Sequence, residues 1–136
     1  MKRLTLIIST ALLLALASCE NTAKSRIYTE EGSKQLLRYS QYEEAEATLT
    51  KAIKYDKHNF EAYYYRGCAK VNAQKYREAI GDFEKAVELK PDYADAYFNL
   101  GRTYYLLNDA DQACEYYKLA DHYGRPNLED YLKRCN

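Results

Sequence analysis

The stretch AYYYRGCAKVNAQKYREAIGDFEKAVELKP, from Ala62 to Pro91, decides the architecture of this chain. Small and aromatic residues stand in it at set offsets: Tyr63, Gly67, Tyr76, Ala79, Phe83 and Ala86, closed by Pro91. The same residue classes return 34 positions later at Tyr97, Gly101, Ala113, Tyr117 and Ala120, and 34 positions earlier at Tyr42, Ala45, Leu49 and Ala52. A period of this length marks a repeat array, in which each unit buries its apolar face only by stacking on its neighbours. Within the unit the apolar residues recur every three or four positions, as they do along one face of a helix. The break Asn72-Ala73-Gln74-Lys75 is short enough to force the two helices of a unit into an antiparallel hairpin. Pro91 then stops the second helix, and Asp92 is placed to cap the next one through its carboxylate.

Three units follow from this period, at about 26–59, 60–93 and 94–127. Their helix pairs are expected at 27–39 and 41–56, 62–73 and 75–89, and 95–107 and 109–122. Asn108, in the third break, tolerates the left-handed backbone that a tight turn requires. The first helix is the most weakly specified. Gly32 inside it costs about 1 kcal/mol against alanine, and Thr29 stands where the other units carry a large aromatic. Beyond Gly124-Arg125-Pro126, residues 127–135 read as a short helix capping the open end of the stack, with Tyr131 on its apolar side.

These offsets resemble the tetratricopeptide repeat (TPR) family over roughly residues 26–127. The resemblance implies an all-α fold: an α-solenoid of three antiparallel helix hairpins plus the C-terminal capping helix. It further implies that the first helix of each unit lines a concave groove that takes a peptide or a partner helix. The groove residues it points to are Lys34 and Arg38, with Glu30 and Leu37, in the first unit. In the second they are Tyr64, Val71 and Asn72, with Cys68; in the third, Phe98, Arg102 and Tyr105, with Leu106. Tyr64 and Val71, like Phe98 and Tyr105, lie seven apart on a stripe offset from the core stripe of Tyr63 and Tyr97. Rings beside single cations suit an extended peptide, burying ring area while Lys34 or Arg102 pairs with a carboxylate. The same stripe also fits packing inside a tight superhelix. Members that bind chaperone C-termini use a lysine and asparagine clamp, and here Glu30, Tyr65 and Asp95 occupy several of its places. The resemblance therefore does not imply that partner.

Ahead of the array, Met1-Lys2-Arg3 is a basic head, and 4–18 is an apolar run of about fifteen residues. A bilayer core of ~30 Å needs roughly twenty, so residues 1–18 read as a secretory signal. The run ends Leu16-Ala17-Ser18-Cys19, which resembles the bacterial lipobox; Cys19 is then the lipidated first residue of the mature chain. The alternative is an ordinary cleaved signal with an incidental cysteine. Residues 20–25 are polar and lack an apolar period, so 19–25 reads as a lipidated cysteine and tether reaching at most ~20 Å. The expected location is a bacterial cell envelope, at the outer membrane.

The 136 residues hold 20 basic and 20 acidic side chains. Loss of Lys2 and Arg3 with the signal leaves 18 against 20, so neither nucleic acid nor an acidic lipid surface is an electrostatic partner. No small-molecule substrate, cofactor or metal is implied. No GxSxG, HExxH or phosphate loop occurs, and His58 and His122 are isolated. Cys114 and Cys135 lie about ten residues either side of the turn near Gly124, at similar height on an antiparallel pair. In an exported chain they either form a disulfide or remain two small buried thiols. The reading is a lipid-anchored protein-interaction module working through its groove, or a structural subunit of an envelope complex working through its convex face.

Overall fold

The computed structural model describes residues 2–135, and every regular element among them is helical. The elements are α1 (Lys2–Tyr39), α2 (Tyr42–Tyr55), α3 (Phe60–Asn72), α4 (Tyr76–Leu89), α5 (Ala94–Leu106), α6 (Ala110–His122) and α7 (Glu129–Leu132). A 3-10 turn, Lys133–Cys135, follows α7. Consecutive helices pack as antiparallel hairpins, while α1 also meets α3 and α3 meets α5. This is the α-solenoid that the period of 34 predicts.

Each hairpin turn is closed by one residue with positive φ: Ser40 (52°), Gln74 (61°) and Asn108 (61°). After the turn, a backbone N–H reaches back to satisfy a carbonyl at the end of the preceding helix, as helix termini require. Lys75 N–H donates to Lys70 O (2.8 Å) and Asp109 N–H to Tyr104 O (3.0 Å). In the first hairpin the matching bond runs from Gln41 to Gln35 (3.0 Å) and spans one residue more. That extra residue shifts the phase of α1 against the rest of the chain.

Glycines set the approach of the paired helices. A Cβ on Gly67 would stand 2.7 Å from the Phe83 ring, and one on Gly101 2.6 Å from the Tyr117 ring. Gly32 plays the same part, since its Cβ would meet Leu49 Cγ at 2.6 Å. Beside its expected local cost to the helix, Gly32 lets Leu49 pack with no exposed surface. The alanines opposite, Ala45, Ala79 and Ala113, are buried for the same reason.

Between units the links are polar as well as aromatic. Asn59 caps α3 by accepting from Ala62 N–H (3.0 Å), and its amide donates to Ser25 Oγ and Thr29 Oγ1 (both 2.9 Å). Ser25 Oγ donates in turn to Ala52 O (2.8 Å). Thr29 is thus a buried hydrogen-bonding group at a place where the other units carry rings. Within the second unit, Asp82 of α4 is buried with Arg66 (2.6 Å) and Lys70 (2.9 Å) of α3 against its carboxylate, and Arg66 also donates to Thr50 Oγ1 of the first unit (3.1 Å).

Three local expectations change. Residues 20–25, read as a tether, continue α1 as helix, because Ser25 is fixed in the first unit. Asp92 does not cap α5 through its carboxylate: the helix starts at Ala94, Tyr93 is the cap residue, and Ala94 N–H takes the backbone carbonyl of Asp92. The expected helix 127–135 shortens to Glu129–Leu132 and the 3-10 turn, tied to α6 by a disulfide between Cys114 and Cys135 (Cα–Cα 5.4 Å). Leu128 is buried beneath it.

Candidate functional site

The concavity at the junction of the three units has a volume of about 400 Å³. The first helices of the hairpins supply most of its wall, because antiparallel stacking places them side by side. From α3 come Tyr64, Cys68, Val71 and Asn72; from α5, Phe98, Asn99 and Arg102. Leu36 and Leu37 of α1, Tyr42 of α2 and Arg125 complete it. The lining holds two guanidinium groups, two primary amides and no carboxylate.

Of the residues proposed from sequence, Tyr64, Val71, Asn72, Phe98 and Arg102 meet around this concavity. Lys34 and Arg38 do not line it. The one-residue shift in the first turn turns α1 by about 100°, so the stripe equivalent to Tyr64, Cys68, Val71 and Asn72 is Thr29, Ser33, Leu36 and Leu37. Lys34 instead pairs with Glu30 along the helix surface (2.8 Å), and Arg38 is exposed. Tyr105 lies elsewhere too. It faces the α7 side of α5 and lines a separate recess with Tyr117, Tyr131 and Arg134.

For Phe98 the structure takes the packed alternative rather than a ring free for a peptide to cover. It is 8% exposed, with Tyr131 edge-on at 5.1 Å and Tyr117 tilted at 5.8 Å. Over its face lies the Arg125 guanidinium, 4.0 Å from the ring centre, a cation–π contact. Arg125 also pairs with Asp95, and its Nε is buried without a hydrogen-bond partner. Arg125 is absent from the stripe expected from sequence because it lies past α6, on none of the helices whose spacing defines the groove. Only the turn at Gly124 (φ 85°) carries it back over α5.

The polar groups of the wall are held in place by α5. Asn99 donates to Tyr64 Oη (3.2 Å) and to Asp95 O (2.9 Å), joining two units across the groove. The Tyr64 ring packs tilted against Tyr93 (4.9 Å) and Phe83 (6.0 Å), and burial drives its phenol pKa well above the usual tyrosine value. Burial likewise pushes the Cys68 thiol up to about 12, so it stays protonated and non-nucleophilic at neutral pH. Among the described residues no cluster of histidine, cysteine and carboxylate side chains is arranged to hold a metal ion. The site has no acid–base pair of its own; it offers rings, amides and positive charge.

Known proteins resemble this arrangement. Residues 69–108 match the family model described as TPR repeat. The Hsp70-Hsp90 organizing protein of Triticum aestivum is 38% identical over 77 residues, which is 57% of this chain and 13% of that protein. The small glutamine-rich tetratricopeptide repeat-containing protein 2 of Saccharomyces cerevisiae is 30% identical over 115 residues, 85% of this chain and 33% of the yeast protein. The chain thus spans a third or less of the length of these relatives. Among solved structures, the first TPR of Spaghetti (RPAP3) bound to the HSP90 peptide SRMEEVD superposes with a TM-score of 0.79 and 25% identity, covering 84% of this chain and 91% of that one. The Arabidopsis OM64 TPR domain gives a TM-score of 0.80 at 23% identity, over 85% and 97% of the two chains.

Proposed function

We propose that this chain, built as a TPR solenoid, is a protein-interaction module that holds an acidic peptide segment in the concavity between α1, α3 and α5. The carrying observation is the charge of the lining: Arg102 and Arg125 face it, and no carboxylate does. An extended peptide entering there covers Tyr64, Val71 and Leu37 while a carboxylate of it meets the Arg102 guanidinium, Arg125 being already paired with Asp95; such a charge-assisted pairing is about twice as strong as a neutral hydrogen bond. Asn72, whose amide donates only once within the chain, to Cys68 O, keeps an N–H for its backbone, and the amide oxygens of Asn72 and Asn99 are acceptors for it. One structural neighbour holds the peptide SRMEEVD, whose end is acidic. That observation supports the class of ligand here, not its identity. The fold is one of protein interaction, and the site chemistry supports binding rather than turnover.

The place of action is a bacterial cell envelope, where a lipid on Cys19 holds the module at a membrane. Its support is the sequence Leu16-Ala17-Ser18-Cys19 behind an apolar run whose side chains from Leu12 to Leu16 lie outside the fold. Mass spectrometry of the mature N-terminal peptide tests this: an acylated Cys19 is expected, and an unmodified one overturns it.

Binding is tested by anisotropy with labelled SRMEEVD against its Glu→Gln analogue. The acidic peptide should bind at least about tenfold more tightly, the size of one charged hydrogen bond. Arg102→Ala should remove most of that preference. Equal binding of both peptides, or an unaffected Arg102→Ala variant, overturns the reading.

A further inference from the structure

The lipid-bearing residue and the first repeat belong to one helix, and this fixes which end of the solenoid faces the membrane. α1 runs without interruption through Cys19 and the polar residues after it into the first unit. Its hold on the fold begins at Lys24, whose ammonium lies over the Tyr55 ring at 5.6 Å. Ser25 then donates to Ala52 O, Tyr28 stacks on Tyr55 at 5.6 Å, and Asn59 grips Ser25 and Thr29. Between Cys19 and Lys24 lie only four residues, little more than one turn.

A stub this short is marginal as an isolated helix, but here it extends a helix already packed, so no new nucleus is needed. After removal of residues 1–18, Glu20 stands in the first turn, where the exposed N–H groups of the helix favour an acid. Glu20 also pairs with Lys24 at 2.6 Å, four residues on, which supports the same turn. Helix rises 1.5 Å per residue, so Cys19 stands about 9 Å from Ser25 rather than the ~20 Å that an extended tether spans.

We infer that, in the lipid-anchored state proposed above and resting on it, the solenoid stands on the bilayer on the edge formed by its inter-repeat loops. Because the hairpins are antiparallel, the N-terminal end of α1 shares an edge with the loops 56–59 and 90–93 and with the C-terminal end of α6. The turns at Ser40, Gln74 and Asn108 form the other edge. α1 from Cys19 to Tyr39 measures about 30 Å, so those turns project away from the headgroups. The groove crosses the helices from unit to unit and opens between the two edges. A partner segment therefore enters it beside the membrane and not through it. Lys54, Lys57 and Lys24 lie on the lower edge with Glu20, Asp56 and Glu61, so charge neither pulls that edge down nor pushes it off. The helix geometry alone sets the standing height.

The full chain, processed in a bacterial host and reconstituted in phosphatidylethanolamine–phosphatidylglycerol vesicles carrying a nitroxide headgroup lipid, tests this. With Cys68→Ala, Cys114 and Cys135 bridged and Cys19 acylated, one probe is attached at Lys57→Cys or at Arg77→Cys; both positions are exposed. Paramagnetic quenching should be many-fold stronger at position 57 than at position 77. A flexible Gly-Ser insert between Asn21 and Thr22 should abolish that contrast while acylation and folding persist. Equal quenching at the two positions without the insert, or an unchanged contrast with it, overturns the standing geometry and leaves the anchor intact. An unacylated Cys19 overturns the anchor, and the geometry falls with it.

Discussion

At the scale of single residues, glycine has two opposite uses here. Gly67 sits where a Cβ would stand 2.7 Å from the Phe83 ring, whereas nothing lies within 4 Å of the same position on Gly81. Gly67→Ala should therefore cost about 1–3 kcal/mol through overpacking. Gly81→Ala, exposed inside α4, should add about 0.5–1 kcal/mol through helix propensity. Urea melts of the two variants should shift in opposite directions, and shifts of the same sign would contradict the packing described. Cys68 is a second residue-scale case. Burial lifts its pKa from 9.0 to about 12, so the folded state keeps the thiol protonated after an unfolded chain would have lost the proton. The stabilisation is whole below pH 9 and declines as pH rises toward about 12. Iodoacetamide should label Cys68 of the native protein slowly and with little pH dependence up to pH 10, while urea-unfolded chain reacts rapidly above pH 9. Mass spectrometry of timed aliquots reads the difference.

At the scale of elements, the end of the chain depends on a covalent tie. α7 has four residues, too few for a helix to persist alone. Its support is Leu128 beneath it, Tyr131 wedged between Phe98 and Tyr117, and the disulfide from Cys114 to Cys135 across 21 residues. Closing a loop of that size restricts the unfolded chain by about 3 kcal/mol in the loop-entropy account. Cys135→Ser should lower the unfolding free energy by roughly that amount, and a reductant should do the same to the native protein but not to the variant. The loss should also expose the Arg125 and Phe98 side of the concavity, since Tyr131 covers that ring. α1 shows how far an element can depart from its local reading. Residues 20–25 carry no apolar period, yet they are helical because the next residues are bound into the first unit.

At the scale of the whole molecule, function depends on which side chains the stack brings to one place. Tyr64 and Arg102 lie in different units but line the same concavity, and Tyr105 lines another. Tyr64→Ala and Arg102→Ala should each weaken binding of the acidic peptide by about tenfold and, combined, depart from additivity, as residues sharing one ligand do. Tyr105→Ala should leave binding unchanged. A Tyr105→Ala variant that binds as poorly as Arg102→Ala would move the site to the α7 side of α5.

The sequence by itself determined the hairpins, their number, their small-and-aromatic interfaces and the five groove residues of the second and third units that meet. The hairpins and their interfaces follow from local periodicity, which repeats faithfully from Phe60 onward; the groove residues are those the TPR resemblance implies. The turn at Asn108 was legible for the same reason, and spacing along antiparallel helices put Cys114 and Cys135 at similar height, while the bridge between them was decided by the structure. Only the tertiary structure decided the rest. One additional residue before Ser40 rotates α1 and replaces Lys34 and Arg38 by Leu36 and Leu37 in the groove, and nothing in the local pattern reveals a rotation until a partner helix shows which face it buries. Arg125 reaches the groove, and Phe98 leaves solvent, because a turn beyond the last unit folds back over α5. Such contacts join residues far apart in the chain, and spacing carries no record of them.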